Sequence, residues 1–282
     1  MCRLFKRPQK LDSAPMSPCR RRYLAQKRRG QWWVRFCQIA ALCAVVFLWE
    51  ALAHLGVIDS FIMSRPSRML RTLGNFQNNR LLLHIGITTL ETVVGFTLGV
   101  VTGICAAFVL WWSAFLSKVA APYLVVLNAL PKIALGPVII IWVGAGVQAV
   151  IVMALAISLV VTVMEMLAGF QGTCPNLIKM AKTLGAGRLQ TFVKIVLPAN
   201  LPTLFNCLKI NIGLSLVGVV AGEFLVSRAG LGYLIVYGGQ VFQMDLVMTS
   251  VMVLAGLAAA LYGLVALAER LVMKMFCYKM EA

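Results

Sequence analysis

The sequence predicts an all-α integral membrane protein of about six transmembrane helices, with a short basic helical loop between spans four and five. Three observations predict it. Of the 282 residues, 61% are apolar and 12% charged, and the mean hydropathy is +0.88. Six apolar runs, 36–57, 88–111, 121–142, 147–168, 203–225 and 247–271, are each long enough for a crossing, which needs about 20 residues. The basic residues gather between alternate runs, as the positive-inside bias requires. Six crossings leave no length for a soluble domain. The organisation is therefore a basic amino-terminal tail (1–35), one membrane domain (36–272) and a short carboxyl tail (273–282).

Eleven of the 26 basic residues precede residue 36, among them Arg20-Arg21-Arg22 and Lys27-Arg28-Arg29. A net charge of +17 raises nucleic acid as a partner. Its placement on a tail before an apolar span, without interleaved motifs, argues for a disordered, solvated arm near anionic lipid instead. With the amino terminus inside, the inner segments hold 19 basic residues and the outer loops hold five: Arg65, Arg68, Arg71, Arg80 and Arg228. This split puts both termini in the cytoplasm, although four arginines in the first outer loop run against it. The first run exceeds a usual signal core and lacks an A-x-A-like site, so it reads as an uncleaved span. Eight cysteines show no paired metal spacing and read as reduced apolar fillers; no metal is expected.

Span two carries Gly95, Gly99 and Gly103 on one helical face, a pattern that lets helix backbones approach closely in lipid. Span three contains Pro131 and Pro137, which should kink or break it. Lys132, between them, either snorkels to the headgroups or lies in a wetted path. Spans three and four meet at the tight turn Gly144-Ala145-Gly146. In span five, Asn211, Ser215, Gly218 and Gly222 share one face, which either lines a translocation path or packs against a second copy. Glu223 follows as a headgroup-level charge, a hydrogen-bonded acid or a path residue. Glu50, Glu91, Glu165 and Glu269 lie in or beside apolar runs and are assigned no chemistry.

Residues 170–202 form the polar loop between spans four and five. Pro175 suits a first helical turn. Leu177, Met180, Ala181 and Leu184 follow at helical spacing, with Lys179 and Lys182 off that stripe. Gly185 can take the left-handed conformation that ends a helix. A second amphipathic piece, Leu189, Phe192, Val193 and Val196, leads to Pro198. Such an apolar ridge must rest on headgroups or fit into another protein.

The order Lys179-Met180-Ala181-Lys182-Thr183-Leu184-Gly185, then Ile195, Leu197 and Pro198, resembles the EAA loop of permease subunits of ATP-binding-cassette importers. Residues 60–272 resemble the nitrate, sulfonate and taurine branch of those permeases. Further matching stretches are Arg65-Pro66-Ser67, Pro131 to Pro137 with Trp142-Val143-Gly144-Ala145-Gly146, Ala221-Gly222-Glu223, and Gly230-Leu231-Gly232-Tyr233. Two positions depart: Lys179 stands where the loop's glutamate is expected, and Met180 replaces the first alanine. Ser64 stands in place of a proline, which implies a looser turn.

The resemblance implies a multi-pass permease of the bacterial inner membrane that imports a small solute, anionic if sulfonate-, nitrate- or taurine-like. Two copies would form the pathway, and an extracytoplasmic solute-binding protein would deliver cargo. A separate ATPase subunit, carrying ATP and Mg, would grip a coupling helix formed by Leu177, Lys179, Met180, Ala181, Leu184, Gly185, Ile195, Leu197 and Pro198. Lys132, Asn211, Ser215 and Glu223 are weaker candidates for the path. The chain has no G-x-x-x-x-G-K-S/T loop, no catalytic motif and no expected cofactor of its own. Gly185→Asp, or a bulky residue there, is expected to uncouple hydrolysis from uptake. The alternative is an ion-gradient-driven transporter or channel with Glu91 or Glu223 as the ion site.

Overall fold

The computed structural model describes residues 18–56, 64–74 and 80–279. The chain divides into two compact units, Met1–Ser60 and Phe61–Ala282.

The first unit contains α1, Pro18–His54. Residues 18–35 are thus not a disordered arm but turns of the helix that continues through the first apolar run. Arg, Lys, Leu, Ala and Gln dominate this stretch and are good helix formers, so a helix nucleated in the apolar run extends at one hydrogen bond per residue. Residues 1–17 lie outside the described residues. Where the charge ends, Trp32 stacks on Phe36 at 5.7 Å and Trp33 meets it edge-on at 5.9 Å, an aromatic group suited to a membrane interface.

The second unit contains α2 (Pro66–Gly74), α3 (Leu81–Trp112), α4 (Ala114–Ala129), a 3-10 turn (Lys132–Leu135), α5 (Gly136–Val143) and α6 (Val147–Gln171). Then come α7 (Pro175–Thr183), α8 (188–199, with a π turn at Phe192–Val196), α9 (Leu201–Val226), α10 (Leu231–Gln240) and α11 (Met244–Lys279). Among the described residues five helices, α1 included, are long and apolar enough to cross a membrane, and α4 with Lys132–Val143 forms a pair bent by 86° that is either a sixth, broken span or a re-entrant loop. The short carboxyl tail therefore begins no earlier than the end of α11.

The bend has a local cause. Pro131 disfavours helical backbone at the residue before it, and Leu130 is extended, with φ −62° and ψ 137°. Pro137 sits in the first turn of α5, where a missing N–H costs little, so only one of the two prolines breaks the span. Half-buried Lys132 turns back and donates from Nζ to the Asn128 carbonyl at 3.2 Å and to its Oδ1 at 3.3 Å. A cation on terminal carbonyls is a favourable helix cap.

At the centre of the second unit, α6 packs between α3 and α9. A Cβ built on Gly95 of α3 would lie 2.6 Å from the Ala154 Cβ, and one on Gly218 of α9 would lie 2.7 Å from the Ala154 Cα. Ala154 is thus held between two bare backbones. Gly99 and Gly103 meet Ser158 and Thr162 in the same way, and Gly222 meets Val150. Asn211 and Ser215 are fully buried on this packed face. The glycines of the span-five stripe therefore pack against α6 of their own chain, with Asn211 and Ser215 fully buried on the same helix.

The turn before α2 is pinned where the sequence implied looseness. Ser64 is fully buried, its Oγ donates to Asp245 Oδ1 at 2.5 Å, and its φ is +54°. A proline, fixed near −65°, could not adopt that backbone.

Candidate functional site

The loop between α6 and α9 folds as α7, a reversing turn and α8. Pro175 stands in the first turn of α7, as its missing donor favours. The helix ends in a Schellman arrangement: Ala186 N–H donates to the Ala181 carbonyl and Gly185 N–H to that of Lys182, both at 3.0 Å. Gly185 has φ +78°, and a Cβ there would meet nothing within 4 Å. The glycine is needed for its backbone, not for space.

The nine sequence-selected residues separate into two groups. Leu177, Met180 and Leu184 form an apolar ridge that is 41%, 53% and 78% exposed, with Lys179 and Gly185 exposed beside it. Ala181 is buried beneath the ridge, and Ile195, Leu197 and Pro198 are half-buried. These four lie behind the ridge and are less exposed than it. In α8 the apolar residues also split: Leu189 and Val193 face outward, while Phe192 and Val196 enter the core.

Phe192 is the anchor. Its ring lies 4.5 Å from that of Phe108, 5.0 Å from Trp111 and 5.1 Å from Phe170, so it is gripped by α3 and α6 together. Sequence reasoning placed Phe192 on a stripe without seeing its role, because only tertiary contact distinguishes an inward ring from an outward one. At the base, Asn200 Nδ2 donates to Thr173 Oγ1 and to the Val196 carbonyl, both at 2.8 Å. The loop is closed at its neck and bolted to two spans, while its ridge stands free.

At the opposite end of these spans, Glu223 is 1% exposed and organises the start of α10. Thr88 Oγ1 donates to Glu223 Oε1 at 2.6 Å, and Gly232 N–H donates to Oε2 at 2.5 Å. Thr88 Oγ1 also accepts from Leu231 N–H at 2.8 Å, and His84 Nδ1 accepts from Gly230 N–H at 2.9 Å. Three side chains thus satisfy the free donors that open a helix. Gly230, at φ +121°, lies so close that a Cβ would strike the Glu223 carboxylate. Glu223 therefore acts inside the fold. His84 and Thr88, which hold the other two donors, gave no sequence signal.

Glu91 lies fully buried beside Glu223. It borders a cleft of roughly 680 Å³ whose wall includes Gly146, Ser227 and the exposed Arg228. Among the described residues no group of His, Cys, Asp and Glu could hold a metal ion.

Comparison with known proteins identifies the family. A profile of the family described as "Binding-protein-dependent transport system inner membrane component" matches residues 99–273. A probable ABC transporter permease protein of Haemophilus influenzae is 31% identical over 77% of this chain and 89% of its own. The riboflavin transport system permease RibX of Chloroflexus aurantiacus is 29% identical over 88% and 92%. The taurine permease TauC of Escherichia coli is 26% identical over 83% and 87%. In fold, the chain is similar to an inward-facing MetNI methionine ABC transporter, with a TM-score of 0.63 and 21% identity over 70% of this chain and 98% of that one. ATP hydrolysis in such systems belongs to a separate subunit. The chain belongs to the binding-protein-dependent transport system inner membrane component family, as a permease subunit of an ATP-binding-cassette importer.

Proposed function

We propose that the exposed ridge Leu177–Met180–Leu184, with Lys179 and the turn at Gly185, is the handle through which the ATPase subunit drives this permease. The free ridge on a loop whose inner side is locked by Phe192 carries the reading. A push on α7 has no slack to absorb it, because both the neck and the anchor are fixed. It passes through Phe192 to α3 and α6 and rocks the spans between openings. ATP and Mg act on the partner, and the loop, with both chain termini, faces the cytoplasm.

The proposed cargo is a small organic anion of the sulfonate or taurine kind, brought by an extracytoplasmic binding protein. Arg228 on the wall of the outer cleft supports this, as do the relatives TauC and the aliphatic sulfonate permease SsuC. Lys132 is the other cation that would suit an anion path. A second copy of the chain is the proposed partner across the apolar hollow walled by Ile133, Pro137, Val217, Val220 and Phe224.

The test is reconstitution with the ATPase and binding protein. Substitutions that place a charge on the ridge, Met180→Asp or Leu184→Asp, should abolish ATP-driven uptake of taurine or an alkanesulfonate while insertion persists. Undiminished uptake in the Met180→Asp, Leu184→Asp double variant would overturn the coupling assignment. Uptake that survives without the ATPase and follows an ion gradient would overturn the mechanism.

A further inference from the structure

Beside the coupling loop are two hollows, neither of them walled by the ridge residues Leu177, Met180 or Leu184. One, of roughly 500 Å³, is walled by Trp111, Ile178, Lys182, Ala186, Arg188 and Thr191. The other, of roughly 440 Å³, is apolar and walled by Phe108, Val109, Trp112, Ser113, Leu116 and Leu189. Arg188, in the wall of the first, reaches a tryptophan of each: its guanidinium carbon lies 6.0 Å from the Trp111 ring centre and 5.1 Å from that of Trp112. Arg188 is fixed by stacking on aromatic faces, which leaves N–H donors for a planar or tetrahedral anion.

Neither hollow contains a carboxylate, and among the described residues neither Lys182 nor Arg188 is in an ion pair. Trp111 and Trp112 end a 32-residue span, the depth at which tryptophans meet headgroups. We infer that this composite cleft binds an anionic phospholipid, with its phosphate between Lys182 and Arg188 and an acyl chain along Phe108, Trp112, Leu116 and Leu189. The polar hollow alone would accept any small anion. The neighbouring apolar groove, walled by Phe108, Val109, Trp112, Leu116 and Leu189, is what selects a lipid. A bound lipid would tie α7 and α8 to the end of α3, so membrane composition would set how firmly the handle is held. The inference goes beyond the permease reading and requires only that this end of α3 lies at a membrane surface.

The experiment uses the full chain with its ATPase partner, equilibrated with equal phosphatidylglycerol and phosphatidylethanolamine and read by native mass spectrometry. Preferential retention of phosphatidylglycerol is expected. A Lys182→Gln, Arg188→Gln double variant should lower that retention about 25-fold, at about fivefold per cation near a surface. Leu116→Trp, which fills the groove and leaves both cations, should also lower it. Arg188→Lys guards against misfolding and should stay within about fivefold of the parent. Equal retention of the two lipids, or unchanged retention in the double variant, would overturn the inference. So would full displacement by glycerol 3-phosphate, which would mark a soluble-anion site, or a second copy of the chain cross-linked into the groove. Lipid retention needs no ATP, so its failure is distinct from failure of the importer reading.

Discussion

Gly185→Val isolates the backbone of the coupling turn. At φ +78° the position is left-handed, and no atom beyond its two flanking residues lies within 4 Å of a Cβ placed there. The whole cost within the permease is therefore conformational. It is about 1–2 kcal/mol for an ordinary L-residue, with β-branched residues at the upper end. At tenfold per 1.4 kcal/mol, the docking-ready turn should be depopulated about five- to thirtyfold by valine. The loss should be somewhat less with alanine, and least with asparagine or aspartate, which visit this region most readily. Within the permease alone, φ thus makes aspartate a mild substitution, so any severe effect of Gly185→Asp would arise at the ATPase contact. The assay is the dissociation constant of the ATPase subunit for solubilised permease, with thermal unfolding as a control that should fall by no more than that conformational cost. Wild-type affinity for the valine variant would refute the reasoning. So would asparagine being as damaging as valine, since side-chain bulk or polarity and not φ would then decide.

The other predictions follow from packing and capping. Gly218→Leu should severely lower the thermal midpoint, because its Cβ would lie 2.7 Å from the Ala154 Cα. Gly218→Ala should cost about 1–3 kcal/mol, whereas Gly213→Ala, which meets nothing within 4 Å, should be neutral or slightly stabilising. Glu223→Ala orphans Thr88 Oγ1 and Gly232 N–H and should destabilise by about 1–3 kcal/mol per buried group left unpaired; an unchanged midpoint would remove its structural role. Lys132→Gln removes a helix-end cation and should cost only about 0.3–1 kcal/mol. If Lys132 only caps α4, the KM for an anionic solute stays within about twofold in that variant; a path role would raise it at least tenfold. Phe192→Ala should leave ATPase binding near wild type and lower the uptake achieved per ATP hydrolysed, because the ridge would remain but its anchor would be lost.

Spans two, four, five and six were legible because each is a long apolar run, and a backbone in lipid can satisfy its hydrogen bonds along such a run only as a helix. The break at Pro131 was legible for a local reason, the missing donor and the restricted residue before it. So were Pro175 and Gly185 at the two ends of α7. The helical continuation of residues 18–35 was not, because charge density argued for solvation while the residue types favoured helix. The pinned turn at Ser64 was also hidden, since its partner Asp245 lies 181 positions away.

What the sequence determined by itself was therefore whatever depends on nearest neighbours or on the solvent: the crossings, the breaker, the caps and the presence of an apolar ridge on a basic loop. Tertiary structure alone decided which members of each stripe face inward. It sent Ala181 and Phe192 in and left Leu177, Met180 and Leu184 free. It set Gly218 and Gly222 against α6, buried Asn211 and Ser215, and turned Glu223 into the cap of α10. A helical period states that residues share a face. What that face meets depends on contacts between segments dozens of residues apart, and those exist only once the helices have packed.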